Sequence, residues 1–118
     1  MLLEILRSKI HRATVTGADL NYVGSITVDV SLMEASGMHE YEKVHVFNIT
    51  NGTRAETYII HGERNKGEII MNGALARLAH PGDRVIIVAF GFMDEKEVAN
   101  HKPKIIVVDE QNQIIQKN

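Results

Sequence analysis

Residues 43–60 read KVHVFNITNGTRAETYII, two strand-like runs on either side of Asn51-Gly52. Asn-Gly between such runs is the strongest short-range signal for a β-hairpin, because both residues tolerate positive φ. The hairpin predicts strands at 43–50 and 55–60, and further β-branched runs predict strands at 13–16, 25–30, 68–71, 84–90 and 104–109. Seven short strands in 118 residues favour a closed barrel, which leaves few exposed sheet edges. The pattern therefore predicts an all-β fold, a small barrel with short helices.

Two short helices are predicted between these strands. In SLMEASG, Ser31 is the predicted N-cap, Glu34 its capping-box partner and Gly37 the stop. The stretch NGALARLAHPG (72–82) predicts a second helical turn or two, ended by a Pro-Gly pair.

The two helical segments have similar surroundings. Residues 32–46 and 75–87 each run from a helix through a turn with charged residues into a strand. This weak repeat suggests two related halves.

Size and composition limit the function classes. The length fits one domain, 1–118, and the net charge of −2 gives no field for non-specific nucleic-acid binding. There is no cysteine, which excludes disulfides and thiol chemistry and fits a reducing cytoplasm. The first ten residues carry Glu4, Arg7 and Lys9, too many charges for a signal peptide or membrane span. We expect a soluble, cytoplasmic protein.

Common cofactor motifs are missing. The six histidines show no metal-ligand spacing and have no carboxylate cluster beside them, so no metal site is predicted. No Gly-rich phosphate loop or dinucleotide motif occurs, and only three Tyr, three Phe and no Trp are present for stacking on bases. The remaining side chains able to support chemistry are hydroxyl groups and scattered cations.

A Gly-Ser pair interrupts strand-like sequence in NYVGSITVDV (21–30). Such a pair most often forms a bend or a bulge. The alternative is that the Ser25 hydroxyl attacks the Gly24 carbonyl and converts the amide into an ester, since glycine permits unusual backbone angles and leaves its carbonyl accessible. The pair alone leaves both interpretations open.

Four segments of the sequence favour the reactive interpretation of the Gly24-Ser25 pair. They are SKIHRATVTGADLNYVGSITVD (8–29), VFNITNGTRAETYII (46–60), IIMNGALARLAHPGDRVIIVAF (69–90) and HKPKIIVVDE (101–110). In order and spacing they closely resemble the bacterial aspartate alpha-decarboxylases over nearly the whole chain. The resemblance implies a double-psi β-barrel that assembles as a homotetramer with sites between subunits.

The same resemblance implies a self-processed enzyme. The chain would cleave itself between Gly24 and Ser25 into residues 1–24 and 25–118, and Ser25 would become a pyruvoyl group. That group would form a Schiff base with L-aspartate and release β-alanine and carbon dioxide for pantothenate synthesis, without a metal or pyridoxal phosphate. Whether a maturation factor assists cleavage is left open.

Site roles follow from matching family positions. Tyr58 matches the proton donor, and Thr57 matches a hydroxyl that binds substrate and polarises the Gly24 carbonyl. The other matching positions are Lys9, His11, Tyr22, Arg54, Asn72, Gly73, Ala74 and Leu75, of which Asn72 and Tyr22 are supporting residues. Leu75 replaces the small residue usual in the family, which puts substrate fit in doubt if the pocket is tight there.

Two of these roles invite physical argument. On a regular strand Thr57 and Tyr58 point to opposite faces, so we expect them to approach the site from different sides or to serve different stages. The α-carboxylate leaves as neutral carbon dioxide, so a strong ion pair to it would slow the reaction. We therefore assign Arg54 to the β-carboxylate, which keeps its charge throughout.

Two other functions are weighed against this one. A non-catalytic barrel that binds a partner or ligand would have no need of Gly24, Ser25, Arg54, Thr57 and Tyr58 together. The same chemistry on another acidic amino acid, such as glutamate, requires a substrate panel to distinguish.

Overall fold

The computed structural model describes residues 1–118 and is mostly β-strand, so the all-β prediction is confirmed. The strands are β1 Leu2–Thr14, β2 Gly17–Asp19, β3 Ile26–Asp29, β4 Lys43–Asn48, β5 Arg54–Gly62, β6 Ile69–Asn72, β7 Arg84–Asp94, β8 Lys104–Val108 and β9 Ile114–Lys117. The helices are α1 Val30–Ser36, α2 Glu95–Val98 and a 3-10 helix at Gly73–Arg77. None of them is long and apolar enough to cross a membrane.

The sheet closes because β1 continues into β2. β1 pairs with β7, and the chain then passes through Val15 and Thr16 into β2, which pairs with β6. From β6 the pairing continues through β3, β5 and β4 back to β7. The ring is therefore made of β1/β2, β6, β3, β5, β4 and β7, while β8 and β9 extend outward from β1.

The ring consists of two related halves. In one, β3 lies parallel to β5, and β5 pairs antiparallel with β4. In the other, β6 lies parallel to β2, and β1 pairs antiparallel with β7. The equivalent strands of the two halves also meet antiparallel, β3 with β6 and β4 with β7. This paired arrangement is the double-psi β-barrel that the family resemblance implies.

One hydrophobic cluster of 20 buried residues fills the ring. Its largest fully buried side chains include Ile26, Ile59 and Met71, one from each of β3, β5 and β6. Burial of a side chain of this size contributes about 1.5–3 kcal/mol. The three strands that carry the candidate site are therefore firmly anchored just beyond it.

The first helix begins differently from the prediction. Asp29, and not Ser31, is the N-cap, and its carboxylate accepts a hydrogen bond from the Ser31 N–H at 2.8 Å. The predicted capping box from Ser31 to Glu34 is therefore wrong, because the acceptor lies two residues earlier. Gly37 ends the helix in the left-handed conformation with φ +76°, as predicted.

Other element boundaries also moved. β1 begins at Leu2 and not at residue 13, the polar C-terminal stretch contributes β9, and the helix after Asn72 is a 3-10 helix. The predicted hairpin at Asn51-Gly52 is confirmed, with Val44 opposite Thr57 in the β4–β5 pair.

Asp29 joins β3 to the loop that precedes β6. Its carboxylate is buried and accepts four hydrogen bonds: from the Ser31 N–H and hydroxyl, and from the Asn65 and Gly67 N–H groups. Burial alone would raise the pKa of Asp29, but these bonds outweigh it and hold the pKa below its ordinary value. The contacts fix where β6 starts, and hence the register of β6 against β3.

Candidate active site

A cavity of about 370 Å³ opens where β3 begins, where β6 ends and beside the first half of β5. It is lined by Gly24, Ser25, Ala55, Glu56, Thr57, Tyr58, Asn72, Ala74, Leu75 and Leu78. Seven of these ten are residues that the sequence indicated. One cavity of a single chain is thus lined by most of the predicted site residues.

The Gly24-Ser25 pair has an unusual backbone. φ is +70° at Gly24 and +86° at Ser25, and Ser25 is only 3% exposed. A tight turn precedes the pair, in which the Gly24 N–H donates to the Tyr22 carbonyl at 2.9 Å. A non-glycine residue held at such an angle stores about 1–3 kcal/mol of strain. The bond proposed for cleavage therefore joins a partly exposed glycine to a buried, strained serine.

Asn72 fixes the serine in place. Its side-chain Nδ2 donates to Ser25 Oγ at 3.1 Å and to Thr27 Oγ1 at 2.9 Å. Its backbone N–H donates to the Ser25 carbonyl at 3.0 Å, beside the register pair Ile26–Met71 of β3 and β6. Since Asn72 uses an oxygen lone pair of Ser25, the hydroxyl hydrogen of Ser25 remains free for transfer to a base.

Gly73 permits the close approach of two chain segments. It has φ +63°, and a Cβ placed there would lie 2.7 Å from the Gly24 nitrogen and 2.9 Å from the Tyr22 carbonyl oxygen. Real Cβ contacts are not this short. The turn before Ser25 can therefore rest on the start of the 3-10 helix only because residue 73 has no side chain.

Thr57 and Tyr58 reach the same cavity from different sides. Thr57 is half-buried, whereas Tyr58 is 39% exposed, and both residues line the cavity. The Tyr58 hydroxyl donates to the Val23 carbonyl at 3.3 Å. Opposite faces of β5 thus serve one site, because the cavity lies at the barrel end.

Four predicted side chains do not line this cavity. Lys9 and His11 lie on β1, between β7 and β8. The guanidinium of Arg54 is stacked 4.7 Å from the Phe47 ring centroid. The Tyr22 side chain is exposed, and its carbonyl accepts the hydrogen bond from the Gly24 N–H in the turn. The roles of these four residues stay predictions.

Three lining residues were missed by the sequence reasoning. Ala55 and Glu56 precede Thr57 on β5, and Leu78 follows the 3-10 helix. Glu56 could have been found, since it lies two residues from Tyr58 on the same strand face. Nothing in the sequence distinguishes Leu78 from an ordinary core residue.

The cavity wall contains no cationic side chain. Its one acidic residue, Glu56, lies 3.6 Å from both Lys43 Nζ and His45 Nε2, and Lys43 borders an adjoining cavity with Glu56, Thr57 and Tyr58. On β1, burial and the neighbouring charges of Lys9, Arg12 and Arg84 lower the pKa of His11. No group of three or more His, Cys, Asp or Glu side chains is arranged to hold a metal ion.

A family model described as aspartate decarboxylase matches residues 1–115. The chain belongs to the aspartate decarboxylase family. An aspartate 1-decarboxylase of Caldicellulosiruptor saccharolyticus is 59% identical over 98% of this chain and 90% of its own. One from Caldicellulosiruptor bescii is 56% identical over the same shares, 98% and 90%. The predicted family, and with it an enzyme, is confirmed.

Among solved structures, a computationally designed protein, msDPBB_sym2, is similar with a TM-score of 0.46 and 17% identity. The similar region covers 74% of this chain and 99% of the designed one.

Proposed function

We propose that this chain converts L-aspartate to β-alanine and carbon dioxide with a pyruvoyl group made from its own Ser25. The observation that carries the proposal is the conformation of Gly24-Ser25, where both residues have positive φ at the wall of the cavity. Family membership supports the substrate, since the relatives are named aspartate 1-decarboxylases.

Maturation would begin with the Ser25 hydroxyl. Its Oγ attacks the Gly24 carbonyl carbon, the C–N bond breaks as the hydroxyl proton passes to the nitrogen, and an ester and a free amine replace the amide. Loss of the Ser25 α-proton then expels the Gly24 carboxylate and leaves dehydroalanine, and water replaces the nitrogen with a ketone oxygen as ammonia leaves. Strain at Ser25 favours the first step, because cleavage releases the residue from its positive φ.

The surrounding residues fit this chemistry. Asn72 aligns Ser25 Oγ by its 3.1 Å hydrogen bond, and Gly73 lets the turn lie close. Thr57 borders the same cavity and is assigned to polarise the Gly24 carbonyl during cleavage and to bind substrate afterwards.

A pyruvoyl carbonyl supplies an electrophile for the substrate amine and accepts the electron pair left when carbon dioxide departs. This chain's own residues bind the substrate and move its protons. Tyr58 is assigned as the donor of the proton that replaces carbon dioxide, since its hydroxyl already lies beside Val23 and Gly24. The backbone at Gly73, Ala74 and Leu75 is assigned to hold the substrate in the cavity.

The substrate's charges call for a second copy of the chain. L-aspartate carries two carboxylates, and the cavity wall of one chain has no cation. We propose a homotetramer in which sites lie between subunits, so that Lys9, His11 and Arg54 of one subunit serve the site of another. Arg54 is assigned to the β-carboxylate. The position of all three outside the single-chain cavity is consistent with that assignment.

Intact-mass measurement of the purified protein tests the proposal. We expect fragments 1–24 and 25–118, the larger one lighter by one ammonia than a chain that begins with serine. Borohydride added with aspartate is expected to trap the substrate on residue 25 and abolish carbon dioxide release. A Ser25→Ala variant, which cannot form the ester, is the matched control. An uncut chain that keeps its serine would overturn the proposal.

Three finer points belong to the same proposal. β-Alanine would feed pantothenate synthesis in the cytoplasm, a location with which a cysteine-free sequence is compatible. Cleavage of the purified precursor alone would show that no maturation factor is required. A panel of L-aspartate, L-glutamate and L-alanine would fix the substrate range.

A further inference from the structure

The substrate's two carboxylates must lie in different surroundings, if the proposed function holds. The amine is bound at residue 25, and the α-carboxylate is attached to the same carbon as the amine. The α-carboxylate therefore has to lie within the cavity that Ser25 lines. The β-carboxylate is one carbon further along and can extend toward the opening. The cavity lining is therefore this chain's contribution to the environment of the group that leaves, while Arg54 is assigned to the β-carboxylate outside it.

That lining is poorly suited to hold an anion. Beyond the polar side around Thr57, Tyr58 and Asn72, the wall consists of Ala55, Ala74, Leu75 and Leu78. Its single charged residue, Glu56, is an anion that already lies 3.6 Å from Lys43 and His45, so the wall itself supplies no cation to a carboxylate.

We propose that Leu75 and Leu78 form an apolar wall that withholds solvation from the α-carboxylate and so promotes its loss as carbon dioxide. In this step the bond from Cα to the carboxyl carbon breaks, carbon dioxide leaves uncharged, and the electron pair is delocalised onto the group at residue 25 until Cα takes up a proton. Charge thus disappears from the carboxylate as the transition state forms. An apolar wall disfavours the charged starting state more than that transition state.

Leu78 is the better of the two positions for a test. It is 36% exposed, whereas Leu75 is 8% exposed and belongs to the hydrophobic core. The Leu78 carbonyl accepts hydrogen bonds from Asn48 Nδ2, Asn51 Nδ2 and Thr53 Oγ1, at 3.3, 2.9 and 3.1 Å. These bonds hold the backbone at residue 78 whatever its side chain, so substitution should change the wall and leave the fold intact.

The test compares Leu78→Asn and Leu78→Ser with the apolar control Leu78→Met. Two quantities are measured: kcat per pyruvoyl-containing chain, counted by intact mass, and the Kd of succinate by calorimetry. Succinate carries both carboxylates but has no amine, so it reports binding without reaction. For the polar variants we expect kcat to fall about tenfold while succinate binds as tightly as before or more tightly. Leu78→Met is expected to stay within about twofold of the parent in both.

Each alternative result overturns the inference. If kcat of both polar variants equals that of the parent, the wall has no role in the chemical step. If the succinate Kd rises as much as kcat falls, or Leu78→Met loses kcat equally, Leu78 acts only in packing or binding. Failure of the proposed function is distinguishable, because then the parent protein itself would contain no pyruvoyl group and release no carbon dioxide.

Discussion

Replacement of Gly73 by alanine should disrupt the site through one methyl group. In the structure a Cβ at residue 73 would lie 2.7 and 2.8 Å from the nitrogen and Cα of Gly24. Ordinary van der Waals contact begins at 3.4 Å, so the turn would have to withdraw by about 0.7 Å. The atoms in the way are backbone, which cannot rotate aside as a side chain can.

The energetic cost has two parts. Alanine at φ +63° is disfavoured by about 1–2 kcal/mol, because a Cβ crowds the following carbonyl in the left-handed region. Overpacking against the turn adds about 1–3 kcal/mol. We therefore expect Gly73→Ala to lower the free energy of unfolding by about 2–5 kcal/mol in total.

Gly52→Ala is the matched control. Gly52 has φ +78°, but no heavy atom lies within 4 Å of the point where its Cβ would be, so alanine there carries the backbone cost alone. Its unfolding free energy should fall by about 1–2 kcal/mol. Both variants are best measured by urea unfolding in a Ser25→Ala background, where the chain stays uncut.

Self-cleavage gives the second readout. A displacement near 1 Å can cost about a hundredfold in rate when reacting atoms must be aligned, so Gly73→Ala should slow the appearance of fragment 25–118 at least tenfold. Gly52→Ala should cleave at the parent rate. Equal cleavage rates and equal stabilities for the two variants would refute the argument that the close approach of Gly73 positions the cleavage turn.

Three further outcomes are expected. Asp29→Asn should lower the free energy of unfolding, measured in urea, by about 1–3 kcal/mol. Since hydrogen bonds hold the folded pKa of Asp29 below 3.8, the parent protein should also lose stability as pH falls below 3.8. An identical pH profile in the variant would contradict this. The pKa of His11 is lowered in the folded state, so the unfolded chain takes up the proton first and stability should decline as pH falls below 6.5; His11→Gln should remove that decline in pH-dependent unfolding. Arg54→Ala should process normally but lose about tenfold or more in kcat/KM for aspartate relative to L-alanine, and unchanged preference would rule out its contact with the β-carboxylate.

The barrel was predictable because its signals are local. The Asn51-Gly52 turn and the β-branched runs depend on neighbours in sequence, and each of those runs overlaps a strand of the structure. The beginning of β1 was not predictable in this way, since Glu4 and Arg7 interrupt its apolar pattern. Arg7 is instead satisfied across the fold by Glu42, an interaction between residues far apart in sequence.

The first helix cap illustrates a second limit. Ser31 and Glu34 match the capping-box spacing, but Asp29 is also a strong cap and gains two additional partners from the loop at Asn65 and Gly67. Those partners lie more than thirty residues away. A tertiary contact therefore decided between two caps that are equally acceptable locally.

In the candidate site, too, some residues were predictable from the sequence and others depend on tertiary contacts. The sequence indicated the reactive pair and its neighbours on β5 and β6, because those positions match a family pattern. Leu78 was missed, since its importance depends on where the chain turns after the 3-10 helix, and that turn is fixed by donors from the β4–β5 hairpin.

The closure of the ring by β1 and β2 has a consequence for the life of the molecule. Residues 1–24 supply the segment that pairs with β7 on one side and β6 on the other. Once severed at Gly24, that segment would be a separate peptide, kept in place only by its hydrogen bonds and its buried side chains. Denaturation would then separate two peptides, and refolding would require their association. The midpoint of melting would therefore rise with protein concentration. A protein that first folds as one continuous chain could, after cleavage, refold only by association of two chains.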